Sequence, residues 1–172
     1  MLQAMTDPRW LDAEESRAWR TLVIANARLM AKLDAELIAE HGISLPDYEV
    51  LMHLSEALEC RLRMTELAQL VHLSPSGLTR RVDRLVRAQL VTREQCFDDR
   101  RGSFAVLSAL GEGAVRMTAP VHLRGVRQYL IDLLARDELT TLANVMTAVM
   151  TACGPLHGVD SSLHDAGRPN AR

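Results

Sequence analysis

The sequence predicts a mainly helical fold with one small β-hairpin. Apolar residues recur at intervals of three and four positions over most of the chain, a spacing typical of amphipathic helices. Within residues 64–91 two short helical patterns are separated by a tight break, and two β-prone runs follow at 91–97 and 103–107. Two short helices and a hairpin in this order form a winged helix-turn-helix, which here is flanked by long helical segments on both sides.

Capping residues mark where the two short helices begin. Thr65 is expected to be the N-cap of the first helix, in which Leu67 and Leu70 lie on one apolar face. Ser74 offers an N-cap hydroxyl to the second helix. Pro75 suits the first position of that helix, because the N–H that proline lacks would have no partner there.

The second short helix separates apolar from charged side chains. At about 100° per residue, Leu78, Val82 and Leu85 share one side. The other side carries Ser76, Arg80, Asp83, Arg84 and Arg87. For an isolated helix this is most simply a solvated face held by ion pairs between successive turns. The hairpin that follows favours a second interpretation, in which the cationic face contacts duplex DNA.

The predicted hairpin carries a basic tip. The sequence Asp-Asp-Arg-Arg-Gly at 98–102 joins its two strands, and Asp and Gly favour turns by themselves, so an ordinary surface loop is one interpretation. Beside a helix-turn-helix, an arginine on such a tip can also enter the narrow minor groove, where negative potential is concentrated. Asp99, two residues before Arg101, would then orient that guanidinium through a charge-assisted hydrogen bond.

Four segments carry a resemblance to known proteins. They are YEVLMHLSEA at 48–57, RMTELAQL at 63–70, LSPSGLTRRVDRLVRAQLV at 73–91 and DDRRGSFAVLSALG at 98–111. Together they resemble the MarR family of dimeric winged-helix transcription regulators, and the likeness extends over residues 11–151. Residues 99–101 fit the Asp-x-Arg signature of that family's wing. Two positions depart from the family pattern: Gln89 replaces the usual glycine after the recognition helix, and Ser108 replaces the usual threonine after the second wing strand.

The resemblance implies double-stranded DNA as a partner. It assigns DNA binding in the recognition helix to Ser74, Ser76, Gly77, Thr79, Arg80, Arg81 and Arg84, and in the wing to Asp99, Arg100 and Arg101. Residues at the start of the helix would approach base edges, whereas Arg81, Arg84 and Arg87 would contact phosphates or pack at the flanks. The two recognition helices of a homodimer would read a pseudo-palindromic operator, and we expect a repressor.

A ligand cleft is also implied by the resemblance. MarR-like proteins commonly bind small aromatic or phenolic acids between the dimer helices and the winged module, and the ligand weakens DNA binding. The candidates to line such a cleft are Trp19, Arg20, Tyr48, His53 and His122. Each of them also fits a structural role, because a tryptophan on an apolar stripe, for example, usually packs in a core.

The flanking helices define the expected domain organisation. It comprises an N-terminal arm at 1–10, an N-terminal dimerisation helix at 11–45, the winged helix-turn-helix at 46–111, C-terminal dimerisation helices at 112–153 and a disordered tail at 154–172. Pro46 suits the first turn of a helix, whereas Pro120 should kink or break the helix in which it lies. The apolar stripes at 19–37 and 139–150 exceed what a winged module can cover, which favours a second copy as partner.

Charge is concentrated where the motif lies. The chain has 172 residues, of which 48% are hydrophobic and 3% aromatic, so its core must be built mainly from aliphatic side chains. The formal net charge of −2 argues by itself against a nucleic-acid partner. Residues 61–101, however, hold nine arginines against five acidic residues. Because no long apolar run and no signal-peptide pattern is present, we expect no membrane span and a cytoplasmic protein.

Other functions have weaker support in the sequence. Cys60, Cys96 and Cys153 are widely spaced and the histidines lack metal-ligand spacing, so we expect no disulfide, no metal and no cofactor. No catalytic motif is present, and we expect no enzyme activity. Two alternatives to a ligand-responsive regulator stay open. One is a winged-helix scaffold for protein contacts, and the other is a redox-responsive regulator that acts through Cys96 in the wing.

Overall fold

The structure is a computed structural model that describes residues 9–95 and 102–154. Its elements in these residues are α1 (Ala13–His41), α2 (Leu45–Glu56), β1 (Arg61–Arg63), α3 (Met64–Leu70), α4 (Pro75–Arg87), β2 (Val91–Gln95), β3 (Ser103–Leu107), α5 (Ala109–Tyr129) and α6 (Arg136–Cys153). Short 3-10 turns lie at Leu58–Cys60 and Ile131–Leu133. The predicted winged helix-turn-helix with long flanking helices is confirmed. The expected arm at 1–10 and tail at 154–172 fall almost wholly outside the described residues.

The first two helices begin and end at the residues that favour this. Asp12 and Glu15 form a capping box at the start of α1, in which each carboxylate accepts the other residue's backbone N–H, at 2.8 and 2.9 Å. Gly42, with φ of 68°, ends the helix in the left-handed conformation. Ser44 then caps α2, and Pro46 lies in its first turn as predicted.

The two helices of the helix-turn-helix start differently from one another. The N-cap of α3 is Arg63, so the prediction of Thr65 was wrong. The Glu66 carboxylate accepts the Arg63 N–H at 3.2 Å and takes over part of the capping, which allows the helix to start earlier. At α4 the prediction is confirmed, because the Ser74 hydroxyl accepts the Gly77 N–H at 3.2 Å.

Both helices end in the same hydrogen-bonded turn. Leu73 N–H donates to Ala68 C=O at the end of α3, and Leu90 N–H donates to Leu85 C=O at the end of α4. The residue before each donor adopts a positive φ, 52° at His72 and 61° at Gln89. This is the Schellman arrangement, in which glycine is the usual residue. Gln89 therefore occupies the left-handed position that the sequence comparison with the family predicted for glycine.

The hairpin belongs to a three-stranded antiparallel sheet with strand order β1-β3-β2. Strand β1 was not predicted, because three residues with two arginines give no detectable strand pattern. It pairs with β3 through Arg61 opposite Val106 and Arg63 opposite Phe104. On the core-facing side of the sheet Val91 and Leu107 are paired, and both are buried.

Two hydrophobic clusters hold the chain together. The larger is the core of the winged module, built by α2, α3, α4 and the sheet, and it includes Leu78, Val82 and Leu85 as predicted. The smaller joins α1, α2 and α5 through Leu33, Leu37, Leu45, Tyr48 and Val121. Both clusters contain residues of α2 and pack against Val115 of α5, so these two helices connect the module to α1.

Helix α5 runs through Pro120 as one helix, so of the kink or break expected there the break does not occur. Proline removes one backbone hydrogen bond, but the residues around it are fixed by packing: Thr118 and Val121 are buried on either side. Further along, Gly125 lies so close to α1 that a Cβ there would come within 2.6 Å of Leu33 Cδ2. Tertiary contacts on both sides of Pro120 thus keep the helix continuous.

The outer helices, α6 and the N-terminal half of α1, leave many apolar side chains uncovered. No residue of α6 is buried, and Val145, Val149 and Met150 are exposed. On the N-terminal half of α1, Trp19, Leu22, Val23 and Ile24 are also exposed. No helix within residues 9–95 and 102–154 is both long and apolar enough to cross a membrane.

Candidate nucleic-acid interface

Helix α4 exposes the side of its first turns that the sequence assigned to base contact. Ser74, Ser76, Thr79 and Arg80 are exposed, and Gly77 is half-buried. The hydroxyls of Ser74 and Ser76 lie 3.3 Å apart, and the Thr79 hydroxyl donates to the Pro75 carbonyl at 2.8 Å. Because Leu78 and Val82 anchor the opposite side in the core, this surface is rigidly presented to solvent.

Arg80 has a guanidinium available for an external partner. Its Nε contacts the Ser76 carbonyl at 3.4 Å, which keeps the side chain along the helix. Among the ion pairs of the described residues none involves Arg80 or Arg87, and both side chains are exposed. An uncompensated positive charge at this surface can attract a phosphate or donate to the edge of a guanine.

Arg81 and Arg84 are instead bound within the chain. Their guanidinium groups reach the same oxygen, Oδ1 of Asp47 on α2, at 2.9 and 2.7 Å. Asp47 is buried, and the Arg81 side chain is only 20% exposed. Of the two roles expected for Arg81, packing is the one that its contacts support. The Arg84 side chain is 55% exposed and keeps a surface that an outside group can reach.

Asp47 is a residue that the sequence analysis missed. It is the third residue of α2, where an acidic side chain usually has no role beyond favouring the helix N-terminus. Only the fold shows that α2 presents this carboxylate to α4. A buried carboxylate with two arginine partners fixes the rotation of the recognition helix relative to α2.

Arg93 on β2 was also missed. Its Nη2 donates to the Thr79 carbonyl at 3.2 Å and lies 3.0 Å from Asp83 Oδ1, so it joins the base of the hairpin to α4. On the other side of the sheet the Phe104 ring lies under two guanidinium groups, with 4.1 Å to Arg61 and 5.4 Å to Arg63. The predicted wing residues Asp99, Arg100 and Arg101 lie outside the described residues, as does Cys96.

The five predicted ligand-lining residues lie in separate places. Trp19 and Arg20 are exposed on the N-terminal half of α1. Tyr48 and His122 are in contact, with ring centroids 5.0 Å apart and planes inclined at 41°. His53 lies on α2 in a half-buried position. The structure of one chain thus brings together only Tyr48 and His122 of this set.

Burial determines the protonation of these groups. Desolvation lowers the pKa of His122 and of His53 and raises the pKa of Tyr48, so all three are neutral near pH 7. His122 Nδ1 is buried and has no hydrogen-bond partner within the part of the chain that the structure describes. A neutral histidine with unused hydrogen-bonding capacity is compatible with a polar ligand atom or a water.

A groove lies beside the recognition helix. Its volume is about 460 Å³ and it is lined by Met30, Ala31, Asp34, Ser44, Leu45, Pro46, Arg81 and Arg84. It combines the apolar side chain of Met30 with the exposed part of the Arg84 guanidinium. Asp34 is already engaged, since its Oδ1 accepts the Leu45 N–H at 2.7 Å. None of the five predicted ligand residues lines this groove.

The described residues offer little support for a metal site or for thiol chemistry. Over residues 9–95 and 102–154, no three histidine, cysteine or acidic side chains are grouped as a metal site would require. Two cysteines are described, Cys60 half-buried and Cys153 exposed, and both are free thiols.

Comparison with known proteins agrees with the architecture. The family model described as MarR family matches residues 43–103. AbsC, a MarR family transcriptional regulator from Streptomyces coelicolor, is 39% identical in sequence with a TM-score of 0.81, and the match covers 85% of this chain and 98% of AbsC. Sco3205 from the same organism, a MarR family transcriptional regulator whose structure is a complex with DNA, is 38% identical with a TM-score of 0.84 over 87% of this chain and 93% of that one.

A more distant structure shows the same fold. A mutant of MarR from E. coli, complexed with operator DNA, is 24% identical with a TM-score of 0.71. The match covers 83% of this chain and 99% of the mutant protein. The likeness therefore extends beyond the winged module to the flanking helices.

Proposed function

This chain belongs to the MarR family of transcriptional regulators, and we propose that it acts as a homodimeric, sequence-specific DNA-binding repressor released by a small-molecule ligand. The observation that carries the proposal is the exposed face of α4, on which Arg80 stands beside a capped helix N-terminus without an ion-pair partner among the described residues. A positive helix end and a free guanidinium together suit a phosphate backbone and an adjacent base edge.

The DNA complex of Sco3205 supports the same assignment, because that protein is 38% identical over most of this chain. By analogy α4 enters the major groove. Ser76, Gly77, Thr79 and Arg80 approach base edges, and Ser74 lies at the helix N-terminus near a phosphate. Arg84 and Arg87 contact the backbone at the flank, and Arg81 contributes indirectly by fixing α4 on Asp47.

The hairpin supplies the second DNA contact of each subunit. We assign Arg101 to the minor groove, Asp99 to the orientation of the Arg101 guanidinium, and Arg100 to a further DNA contact of the wing. These roles rest on the Asp-Arg-Arg sequence at 99–101 and on its match with the family signature. The base of the hairpin contacts α4 through Arg93, which supports a hairpin contact with DNA next to that of α4.

A second copy of the chain covers the outer helices. Exposed apolar side chains on α1 and α6 form continuous stripes, and stripes of this kind mark subunit contacts. In a two-fold symmetric dimer two α4 helices enter successive major grooves on one side of the duplex, so the operator is a pseudo-palindrome with half-sites about 10 bp apart.

The groove beside Arg84 is the ligand site that we propose within a single chain. A small aromatic or phenolic acid there places its ring against Met30 and its carboxylate on the exposed side of Arg84. The carboxylate competes with Asp47 for that guanidinium, which weakens the contact that fixes α4. The residues Tyr48, His53 and His122, with Trp19 and Arg20 of either subunit, remain an alternative site in the assembled dimer.

The experiment is a DNA-binding titration with a matched pair of variants. An operator is first selected from randomised duplexes, and its affinity is compared with random-sequence DNA at several salt concentrations. Arg80→Ala should lose about 1–3 kcal/mol of operator affinity and relax the base preference at one position in each half-site. Arg116→Ala removes another exposed arginine, which pairs with Glu112 on α5, away from α4, and should bind as wild type does.

Different outcomes assign different functions. Equal losses by Arg80→Ala on operator and random DNA would reassign Arg80 to a phosphate. The absence of salt-dependent binding by the wild-type chain would overturn the proposal and favour a winged-helix scaffold for protein contacts. DNA binding that changes with thiol oxidation in the wild-type chain, but no longer changes in Cys96→Ser, would favour the redox alternative.

A further inference from the structure

We infer that Arg93 is a positioning residue that locks the base of the hairpin to the recognition helix and so fixes the spacing between the two DNA contacts of a subunit. The inference rests on the proposed function, in which α4 reads one set of base pairs and the hairpin a neighbouring set. It assigns no direct DNA contact to Arg93 itself.

The position of Arg93 follows from the strand pattern. β2 is an edge strand, and Arg93 is paired with Ala105 of β3, which is fully buried. Alternate residues of a strand share a face, so Arg93 leaves the sheet on the same side as the buried Val91. That side faces α4. The β2 residues after Val91 are exposed, Arg93 among them. The side chain of Arg93 connects the base of the hairpin to α4.

A single nitrogen of the Arg93 guanidinium reaches two acceptors on α4. Thr79 and Asp83 are four residues apart on α4, so the Thr79 carbonyl and the Asp83 carboxylate lie on one side of the helix, one turn apart. Nη2 of Arg93 lies 3.2 Å from the carbonyl oxygen and 3.0 Å from Asp83 Oδ1. A lysine offers a flexible point charge in place of this planar group and would hold the hairpin less firmly.

The same contact also compensates the negative charge of Asp83 on the helix proposed to face DNA. Asp83 lies among Arg80, Arg84 and Arg87, and its side chain is 49% exposed. A bare carboxylate here would repel the phosphate backbone, whereas the pair with Arg93 neutralises it. Because Arg93 is occupied in this pair and is 35% exposed, it differs from Arg80, which has no ion pair among the described residues.

The prediction concerns spacing tolerance, which is a property that lost stability alone does not change. The target of the hairpin is the narrow minor groove beside each half-site, which is typical of A·T-rich DNA. Moving this A·T-rich flank one base pair away from the major-groove half-site displaces the hairpin target by about 3.4 Å. With a locked hairpin, wild type should lose about 100-fold in affinity when both flanks are moved, since one well-formed charged contact is lost in each of the two subunits. The Arg93→Gln protein should bind the selected operator more weakly than wild type does. Shifting the flanks should reduce its affinity by less than about threefold, because its hairpin can follow the flank.

Two groups of variants complete the design. Asp83→Asn removes the charged acceptor and should reduce the spacing penalty in the same way, and adding it to Arg93→Gln should change little further, since both remove one contact. Arg93→Lys should restore part of the penalty. Arg61→Gln is the matched control, because Arg61 lies on the other face of the same sheet, against Phe104 and Glu94, and does not contact α4. It should keep the full wild-type penalty.

The outcomes separate this inference from the function on which it rests. If the wild-type chain shows no salt-dependent DNA binding, the proposed function fails. If it binds and Arg93→Gln keeps the wild-type spacing penalty, the positioning role is wrong, whatever the change in overall affinity. Equal losses of affinity by Arg93→Gln on the selected operator, the shifted operator and random DNA would instead show that Arg93 contacts a phosphate. That result would also overturn the positioning role. Should Arg93→Gln melt below the assay temperature, Arg93→Lys and Asp83→Asn measure the same penalty.

Discussion

The winged module and the outer helices have similar apolar patterns in sequence and opposite environments in the structure. In the module, Leu54, Leu67 and Val82 are fully buried against one another. Helix α6 has an equally regular stripe from Leu139 to Met150, yet none of its residues is buried. Apolar periodicity therefore predicts that a face will be covered, and it does not identify what covers it. The module covers its own faces, whereas the apolar faces of α6 and of the N-terminal half of α1 are left uncovered by the described residues of one chain.

Helix α5 contacts both the winged module and α1, and two of its glycines show how closely these elements pack. Gly111 at its start faces the module, where a Cβ would lie 2.1 Å from the Leu90 carbonyl oxygen. Gly125 near its end faces α1 and Leu33. Glycine at these positions permits close approach of neighbouring elements, and both contacts belong to the single chain. The coupling of module and α1 thus does not depend on dimerisation.

The largest effect we expect comes from filling the contact between α5 and the module. Gly111→Ala places a methyl group against backbone at Leu90 and 2.7 Å from Leu107 Cδ1. Neither the carbonyl of Leu90, which accepts the Ser108 N–H, nor the buried Leu107 can move cheaply. The substitution should lower the free energy of unfolding by about 3 kcal/mol or more. Urea denaturation followed by circular dichroism measures it.

Gly113→Ala is the control on the same helix. Its added Cβ would approach nothing closer than the flexible end of Arg116, at 3.9 Å. Because alanine is the better helix former, this variant should gain about 0.5–1 kcal/mol. Equal effects of the two substitutions would mean that α5 does not approach Leu90 as closely as the structure indicates.

Sequence patterns predicted the module well, because its signals are local. The cap at Ser74, the apolar side of α4 and the second wing strand at Ser103–Leu107 each depend on a few neighbouring residues. The misplaced cap at Thr65 and the unbroken helix at Pro120 show the limit. In both cases contacts made elsewhere, by Glu66 and by the packing of α5, decided against a good local signal.

The candidate site was predictable only in part for the same reason. The exposed residues of α4 follow from helical periodicity. The partners of Arg81 and Arg93 do not, because Asp47 is 34 residues away from Arg81 and Thr79 is 14 residues away from Arg93. Such contacts depend on how helices cross, which no local spacing records. The sequence therefore identified the arginines of α4 and could not distinguish those that are free from those that hold the fold.

The second prediction tests the outer helices. Val145→Glu combined with Val149→Glu places two charges on the exposed apolar stripe of α6, where the two valines are 49% and 45% exposed in the single chain. The fold of one chain should be kept, whereas a dimer that buries the stripe should weaken by about 100-fold or more, since unpaired carboxylates would be desolvated. Analytical ultracentrifugation over a range of concentrations measures the dissociation constant.

The control for this variant is Thr140→Glu with Thr147→Glu. Both threonines are exposed, and at 100° per residue Thr147 lies on the side of α6 opposite Val145 and Val149. The added charge is the same in both double variants. If both double variants weaken the dimer equally, or neither weakens it, the stripe on α6 is not the subunit interface. The exposed apolar side chains of α1 would then be the next candidate.

The smallest effect concerns how helices end in the two regions. Helix α1 ends at Gly42 with φ of 68°, whereas α4 ends through Gln89 with φ of 61°. A side chain in the left-handed conformation costs about 1–2 kcal/mol, and glycine gives back part of this through the entropy it loses on folding. Gln89→Gly should therefore raise the free energy of unfolding by about 0.5–1 kcal/mol, while Gly42→Ala should lower it by a similar amount. Thermal and urea unfolding of both variants at one protein concentration measure the difference. A loss of stability in Gln89→Gly would contradict this account, because it would mean that the glutamine contributes more to the turn than its backbone conformation costs.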